Sequence, residues 1–396
     1  MSRSVLVSDG EQRSALAAVR SLGRSGYRVY VCSRSGHSLA GASKHAVADR
    51  AVSPALNSPA EFSKSVSALI AEWSIDVFLP MTEESFNAVF AHAELFEGVC
   101  IPAAGAEQFR AVSDKKLVLE LAASCGLSVP AQVVLSTPQD VDDLFLESID
   151  FPVVVKPARS VAQDGGKQLK LGVIHCADQD SLRAAIASVP SVAYPLLVQQ
   201  RVIGPGVGVF LLLWDGDLVA TFGHRRLRER PPAGGVSVYR ESVAVERSLI
   251  DRSRLLLDKL GWRGVAMIEY KLEEKSGTPF IMEINGRFWG SLQLAIDSGV
   301  DFPTLLVQRA TGAQVFGPSV YKVGVRSRWE WGGVDYAIAR LRHNDEKLSL
   351  PPGSPGRLAG ILSALLPWKP GDRLEVFRLS DPAPFLRETL QYFRRS

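Results

Sequence analysis

GVAMIEYKL at 264–272 and PFIMEINGR at 279–287 are the two stretches that decide how this chain folds. Both are mainly apolar and carry polar side chains at alternating positions, which is typical of half-buried β-strands. The connection between them, EEKSGT, contains Gly277, and glycine is favoured in tight turns. The sequence therefore predicts an antiparallel hairpin. If that hairpin is symmetric about Ser276, it fixes which residues face each other.

Two carboxylates face each other in this predicted hairpin. Glu269 lies opposite Glu283, and the period-two alternation puts Asn285 and Arg287 on the same face. Acids with Cβ atoms about 5 Å apart repel each other and weaken a sheet, and burying unpaired charge is costly. A set of oxygen donors from two glutamates and one asparagine is what Mg²⁺ prefers. The pattern predicts a magnesium site at Glu269, Glu283 and Asn285.

The residues leave one alternative open. Apolar neighbours favour a buried strand pair; they are Met267, Ile268, Ile281, Met282 and Ile284. The alternative is an acid pair that faces solvent and is neutralised by Lys271 and Arg287.

The first third of the chain alternates strand-like and helix-like segments. A strand at 5–8, a helix at 12–26 and a strand at 27–33 predict a βαβ unit with a parallel sheet. The pattern continues with a helix at 59–73, a strand at 76–81, a helix at 83–96 and a strand at 99–102. We expect an open, doubly wound α/β domain that ends near residue 112.

Two other nucleotide-binding classes are disfavoured. The turn after the first strand, SDGEQ at 8–12, lacks the GxGxxG glycines that let a dehydrogenase backbone approach a pyrophosphate. A P-loop needs Ser or Thr after its Gly-Lys pair, but Gly166-Lys167 is followed by Gln168.

A second run of elements begins at SDKK (113–116), which opens a helix that ends at Gly126. Strands are predicted at 151–158, 168–174 and 195–202, and helices at 138–147, 180–188 and 248–260. Residues 336–396 hold a Pro/Gly cluster and an apolar stretch, and we expect an accessory cap or packing segment there.

The arrangement resembles the ATP-grasp superfamily. Those enzymes hold two Mg²⁺ ions with a Glu on one strand and a Glu-x-Asn on the next, and an Arg follows closely. The matching residues here are Glu269, Glu283-Ile284-Asn285 and Arg287. Upstream, Lys115 and Lys156 resemble the two nucleotide-binding lysines of the family, in the same order.

Two further segments carry the resemblance. The loop RSVAQDGGK at 159–167, with Gly165 and Gly166, resembles the loop that closes over the phosphates. LVQQRVIG at 197–204 resembles the hinge that meets the adenine, which implies nucleotide contacts from Gln199, Gln200 and Val202. The acid that often holds the ribose after the hinge is missing from 203–210. Either Gly204, Gly206 and Gly208 bring backbone close to the nucleotide, or they form a plain glycine-rich turn.

The resemblance implies an α/β fold with an α+β lid, in which an N-terminal Rossmann-like pre-ATP-grasp domain precedes the ATP-grasp domain. The implied domains are 1–112 (N-terminal), 113–335 (ATP-grasp) and 336–396 (accessory). Within the second, the lid covers about 128–200 and the metal-binding part about 201–335.

A basic stretch, HRRLRERPPAGGVS at 224–237, marks the substrate side. A strand here would place several of its charges on one side, so we interpret it as an anion-facing wall that includes Arg226 and Arg228. The alternative is a solvated basic edge. Arg287 is expected to face the transferred phosphoryl group, and His224 is the one histidine expected near this chemistry.

We therefore expect a carboxylate–amine ligase that uses ATP and Mg²⁺, or Mn²⁺ in its place, and forms an acyl phosphate from a small carboxylate before an amine attacks. One rival is a carboxylase or carbamoyl-phosphate-type enzyme that phosphorylates bicarbonate. Others are a nucleotide-binding module without turnover and the dehydrogenase disfavoured above.

Composition excludes several partners. A net charge of +3, from 45 basic and 42 acidic residues, argues against bulk capture of nucleic acid. The apolar run at 209–214 is far shorter than the roughly 20 residues that span a bilayer. The four cysteines lack CxxC spacing, which favours a reducing compartment. We expect a cytoplasmic protein without membrane or nucleic-acid partners, with a homodimer as the default oligomer.

Overall fold

This computed structural model describes residues 2–140, 149–164, 167–232, 234–344, 348, 350, 354–365 and 371–395. The strands are β1 Ser4–Val7, β2 Arg28–Ser33, β3 Ala46–Ala51, β4 Val77–Leu79, β5 Gln132–Leu135, β6 Val153–Pro157, β7 Val161–Asp164, β8 Lys167–Lys170, β9 Ile174–Cys176, β10 Leu196–Gln200, β11 Gly206–Trp214, β12 Asp217–Arg230, β13 Val236–Ser242, β14 Gly264–Leu272, β15 Pro279–Asn285, β16 Arg326–Arg328 and β17 Asp372–Leu374. The helices are α1 Arg13–Arg24, α2 Pro59–Trp73, α3 Glu83–Ala91, α4 Ala106–Ser113, α5 Lys115–Ser124, α6 Gln179–Ser188, α7 Arg247–Lys259, α8 Leu292–Asp297, α9 Phe302–Ala310, α10 Glu330–Arg342, α11 Arg357–Leu365 and α12 Ala383–Arg395. Most of the helix predicted at 138–147 lies outside the described residues.

The N-terminal sheet is parallel, with the strand order β3-β2-β1-β4. Val5 and Val7 of β1 belong to the core formed with α1, whereas Leu6 belongs to the core formed with Phe62 of α2. Helices cover both faces, which explains why the consecutive residues Val5 to Val7 of the strand are all apolar. The α/β class expected from the sequence is confirmed.

Two details of this sheet differ from the predictions. The strand β3 was not predicted, because Asp49 and Arg50 interrupt any apolar pattern at this largely exposed edge. The strand predicted at 99–102 is reduced to a single bridge between Val77 and Cys100.

The second sheet is antiparallel, with the order β5-β10-β6-β9, and α6 packs on it. A hairpin of β7 and β8 stands beside it. The continuous strand predicted at 168–174 is therefore wrong. Residues 168–170 pair with β7, residues 171–173 belong to no strand, and only Ile174 of the predicted stretch pairs with β6.

The central sheet has the order β15-β14-β11-β12-β13-β16-β17. Along β11, Phe210 and Leu212 face the core shared with the N-terminal sheet. Val209 and Leu211 face the opposite core, which α5 and α7 cover. The strand is buried on both sides, so the apolar run at 209–214 is the middle of a sheet.

The C-terminal segment is joined to the rest of the molecule through this sheet. β17 pairs with β16 in parallel, and Asp381 forms a buried ion pair with Arg20 of α1 at 2.8 Å. In the part of the chain that is described, no helix is both long and apolar enough to cross a membrane.

Candidate nucleotide and metal site

The hairpin of β14 and β15 pairs Glu269 directly with Glu283, as predicted. The register shifts by one residue on the turn side of this pair. The two faces of the hairpin lie in different environments. On one face, Ile268 and Ile284 lie in the core. On the other face, the side chains of Glu269 and Glu283 are 16% and 31% exposed. The two carboxylates thus share one partly open face of the sheet.

Each acid has its own basic partner. The Oε2 atom of Glu283 lies 3.5 Å from Nζ of Lys115, and the Oε2 atom of Glu269 lies 2.5 Å from Nη2 of Arg226. Asn285 adds a hydrogen bond from Nδ2 to Oε1 of Glu283 at 3.2 Å. The predicted metal ligands therefore lie together, within reach of two cations from other elements.

The partners set the ionisation of the two acids. Burial raises the pKa of Glu283, but the charges of Lys115 and Lys156 outweigh it and hold this pKa below its ordinary value. Burial raises the pKa of Glu269, Arg226 opposes that shift, and the nearby charge of Glu283 adds to it. Glu283 is thus the acid that stays ionised more firmly.

The observed contacts do not match the alternative in which Lys271 and Arg287 neutralise a solvent-facing acid pair. Lys271 lies beside Glu229, with Nζ 3.3 Å from Oε2. Arg287 donates from Nη2 to Oδ1 of Asn285 at 3.3 Å. Neither neutralises the acid pair.

Lys156 lies near the end of β6, an inner strand of the second sheet. Its Nζ donates to Oε1 of Gln199 on the neighbouring strand at 2.9 Å, and Gln199 in turn donates to Gln132. Burial lowers the pKa of Lys156 to about 8, with Glu283 opposing this and Lys115 adding to it. Lys115 begins α5, which Asp114 caps by accepting from the amides of Lys116 and Leu117.

An open cleft of about 540 Å³ collects most of the predicted residues. It lies between the second sheet and the central sheet. The predicted residues that line it are Lys156, Gln199, Gln200, Val202, Arg226, Glu269, Glu283, Asn285 and Arg287. Lys115 reaches it through Glu283. Gly165 and Gly166 lie outside the described residues.

The predicted arginine wall needs a correction. Arg226 lies between Glu229 and Glu269, and both are bonded to its guanidinium. Arg228 does not share this wall. Its guanidinium stacks over Tyr239 and Tyr336 at 5.6 and 5.0 Å. The register between β12 and β13 shifts between Arg226 and Arg228, so side chains no longer alternate regularly between the two faces of the sheet there.

The same shift explains a residue that the sequence reasoning missed. Glu229 lines the cleft although it is an odd number of positions from Arg226. No local pattern indicated this bulge. His224 lines the cleft, as expected, but His175, which was not expected near this chemistry, lines it too. Burial holds the pKa of His224 well below its ordinary value, so its ring is neutral.

Close packing explains why glycines occupy positions 204, 206 and 208, after the hinge segment. A Cβ on Gly206 would lie 2.8 Å from Cδ of Arg226, and one on Gly208 would lie 2.9 Å from Nε2 of His224. A Cβ on Gly204 would meet the carbonyl oxygen of Leu272 at 1.8 Å. These glycines leave room for the cleft wall itself.

Comparison with known proteins agrees with this geometry. A sequence profile described as "ATP-grasp in the biosynthetic pathway with Ter operon" matches residues 193–330. The crystal structure of an L-amino acid ligase from Bacillus licheniformis superposes with a TM-score of 0.61 at 19% identity, covering 79% of this chain and 75% of that chain. The chain has the ATP-grasp fold, and its residues 193–330 match an ATP-grasp sequence profile.

Two curated relatives match over shorter parts. A putative urea carboxylase of Emericella nidulans is 24% identical over 246 residues, which is 57% of this chain and 19% of that protein. A D-alanine–D-alanine ligase of Corynebacterium aurimucosum is 31% identical over 150 residues, 37% of this chain and 40% of that protein. This chain thus spans less than half the length of either.

Proposed function

We propose that this protein is an ATP-dependent ligase that activates a carboxylate as an acyl phosphate and transfers the acyl group to an amine. The observation that carries the proposal is the facing pair Glu269 and Glu283 on the central sheet, with Lys115 beside Glu283 and Lys156 lining the same cleft from the second sheet. Phosphoryl transfer requires charge neutralisation and positioning, and this set provides both.

Magnesium would be held by Glu269, Glu283 and Asn285. The set fits the ion because its donors are oxygens and the two carboxylates are partly open to the cleft. Among the described residues no group of three or more His, Cys, Asp or Glu side chains offers a competing site. When bound, the ion would supply positive charge that neutralises the phosphates during transfer.

The chain's own residues have the following roles in this proposal. Gln199, Gln200 and Val202 bind the base, and Lys115 and Lys156 contact the phosphates. A carboxylate oxygen attacks the γ-phosphorus and ADP leaves. Arg287 stabilises charge on the transferred phosphoryl group.

The second half of the reaction joins the two substrates. An amine attacks the acyl carbon, phosphate leaves with the bonding electrons, and the amine loses a proton. Water must be excluded while the acyl phosphate exists, since hydrolysis would compete.

The direct test is acid-dependent ADP release with hydroxylamine as the nucleophile. Each candidate acid is added with MgATP, and hydroxamate and ADP are measured together. Equal amounts of both products support the ligase. ADP release that depends on bicarbonate and needs no organic acid would favour the carboxylase alternative instead, for which the match to the urea carboxylase provides some support.

Binding of ATP should weaken as pH rises above about 8, the value to which burial lowers the pKa of Lys156. Phosphates bind the protonated lysine, so the affinity is full below this pKa and is lost as pH passes above it. Calorimetric titration with MgATP on both sides of this pH measures the effect. Lys156→Arg should flatten the profile, because arginine stays charged. A wild-type affinity that does not change with pH would contradict the role of Lys156.

Arg226 and Arg228 should differ in their effects. Arg226→Met removes the partner of Glu269, whose pKa then rises further, and we expect acid-dependent ADP release to fall on the order of 100-fold. Arg228→Met should change this rate by less than about threefold and should mainly lower stability, because Arg228 packs on aromatic rings. The matched pair is compared by steady-state kinetics and thermal unfolding. Equal kinetic losses in both variants would contradict this division.

A further inference from the structure

The end of the cleft away from the hinge is formed by residues that the proposed mechanism does not use. A chain of contacts leads there from the hinge. Gln199 binds Lys156 on the second sheet, and Glu283 lines the same cleft from the central sheet. Glu283 accepts from Asn285, which accepts from Arg287. Beyond Arg287 lie Trp289, Gly290 and Ser291, which also line the cleft.

Arg13, the first residue of α1, meets this loop from the N-terminal domain. It lines the cleft, and a Cβ on Gly290 would lie 3.3 Å from its Nη2 atom. Its Nη1 atom donates to Glu375, and its guanidinium stacks on Trp329 at 3.9 Å. The side chain is 10% exposed. Arg13 is thus fixed in place while its Nη2 group lies at the cleft.

The charge of Arg13 is not fully balanced. Glu375 is shared with Arg240, which is fully buried, so one carboxylate serves two guanidinium groups. Burial raises the pKa of the nearby Glu330 and Glu388, which favours their neutral forms. Along the whole cleft, seven basic side chains face three carboxylates among the described residues. The cleft as a whole therefore favours anions, and Arg13 carries the positive charge at this end.

Two nitrogen atoms in the same wall have no hydrogen-bond partner among the described residues. They are Nε2 of His224, which is 1% exposed, and Nε1 of Trp289, which is 3% exposed. Both residues line the cleft, and Ser291 holds His224 by a 3.1 Å bond to Nδ1. A buried polar atom without a partner is costly, and a bound polar ligand is one way to supply the missing partner.

We propose that Arg13 and the 289–291 loop bind a second oxyanion group of the acid substrate, at the end remote from the carboxylate that is phosphorylated. This rests on the proposed function. With the base at the hinge and the phosphates at Glu283, the acid extends toward Arg13. The substrate class is then a small acid with a second carboxylate or phosphate. Glu375 and Trp329 are positioning residues for Arg13.

The test uses matched acids in the hydroxylamine assay, in which no natural amine is needed. Pentanoate is compared with pentanedioate and 4-phosphonobutanoate, and L-norvaline with L-glutamate. The full chain and the variants Arg13→Met and Arg13→Lys are assayed. Arg24→Met, the same change at an exposed position of α1, is the control. Affinity for MgATP is measured for every variant to show that the nucleotide site remains folded.

We expect the second anionic group to raise kcat/KM in the wild type. Arg13→Met should lower kcat/KM for the dianionic acids by about 10- to 100-fold, mainly through a higher KM, because a charge-assisted hydrogen bond is lost. The preference for these acids should then disappear. Arg13→Lys should retain part of it, and the pentanoate rate should not change. Comparing the carboxylate with the phosphonate identifies the preferred group.

Three results would overturn the inference alone. They are equal use of pentanoate and its dianionic counterparts, an equal loss for both in Arg13→Met, and a loss seen only when an amine replaces hydroxylamine. If MgATP binds but no acid releases ADP, the proposed function itself fails, and the inference fails with it.

Discussion

Glu283→Gln is expected to lower acid-dependent ADP release on the order of a thousandfold while the protein stays folded. Glutamine keeps the shape of the side chain and can still accept the hydrogen bond from Asn285. It removes the negative charge that opposes Lys115 and Lys156 and that would hold the metal. The substitution therefore removes the charge of Glu283 and leaves the packing around this side chain nearly unchanged.

The measurement is a coupled ADP assay at saturating acid, with thermal unfolding as the check on folding. Glu274→Gln makes the same chemical change in the exposed turn of this hairpin and should leave the rate unchanged. A Glu283→Gln variant with the wild-type rate would remove the metal assignment.

Asp381→Ala is expected to lower the free energy of unfolding by about 3–5 kcal/mol, because it leaves the charge of Arg20 buried without the carboxylate that pairs with it. The side chains of Arg20 and Asp381 are 2% and 4% exposed. Asp381 also accepts hydrogen bonds from the hydroxyl of Ser43 and the amide of Lys44. The substitution would weaken the contact between the C-terminal segment and α1, while the ion pair of Arg13 with Glu375 remains.

Urea unfolding at neutral pH measures this change. Glu72→Ala breaks an exposed pair with Arg50, whose side chains are 60% and 53% exposed, and it should cost less than about 1 kcal/mol. Burial raises the pKa of Asp381, but Lys44 and Arg20 outweigh it and hold the pKa below its ordinary value. The stabilisation is therefore present at neutral pH and is lost on acidification. Equal losses of unfolding free energy in Asp381→Ala and Glu72→Ala would contradict a larger contribution from the buried pair.

Part of the site could be predicted because it depends on local geometry. The pairing of Glu269 with Glu283 follows from strand alternation and a short turn, both of which can be counted along the chain. Arg228 shows the limit of such counting, since the register of β12 with β13 shifts on both sides of Arg228, and Glu229 lines the cleft where Arg228 does not. A bulge leaves no reliable mark in the sequence.

The sequence by itself determined the hairpin, the alternating α/β start and the set of oxygen donors that face one another. These follow from periodicities of two and 3.6 residues, which are properties of neighbouring positions. Only the tertiary structure decided which cations oppose the acids, and which residues close the far end of the cleft. Arg13 meets Glu375 across 362 positions of sequence. Such a contact depends on how separate sheets and helices pack, and no local pattern encodes that packing.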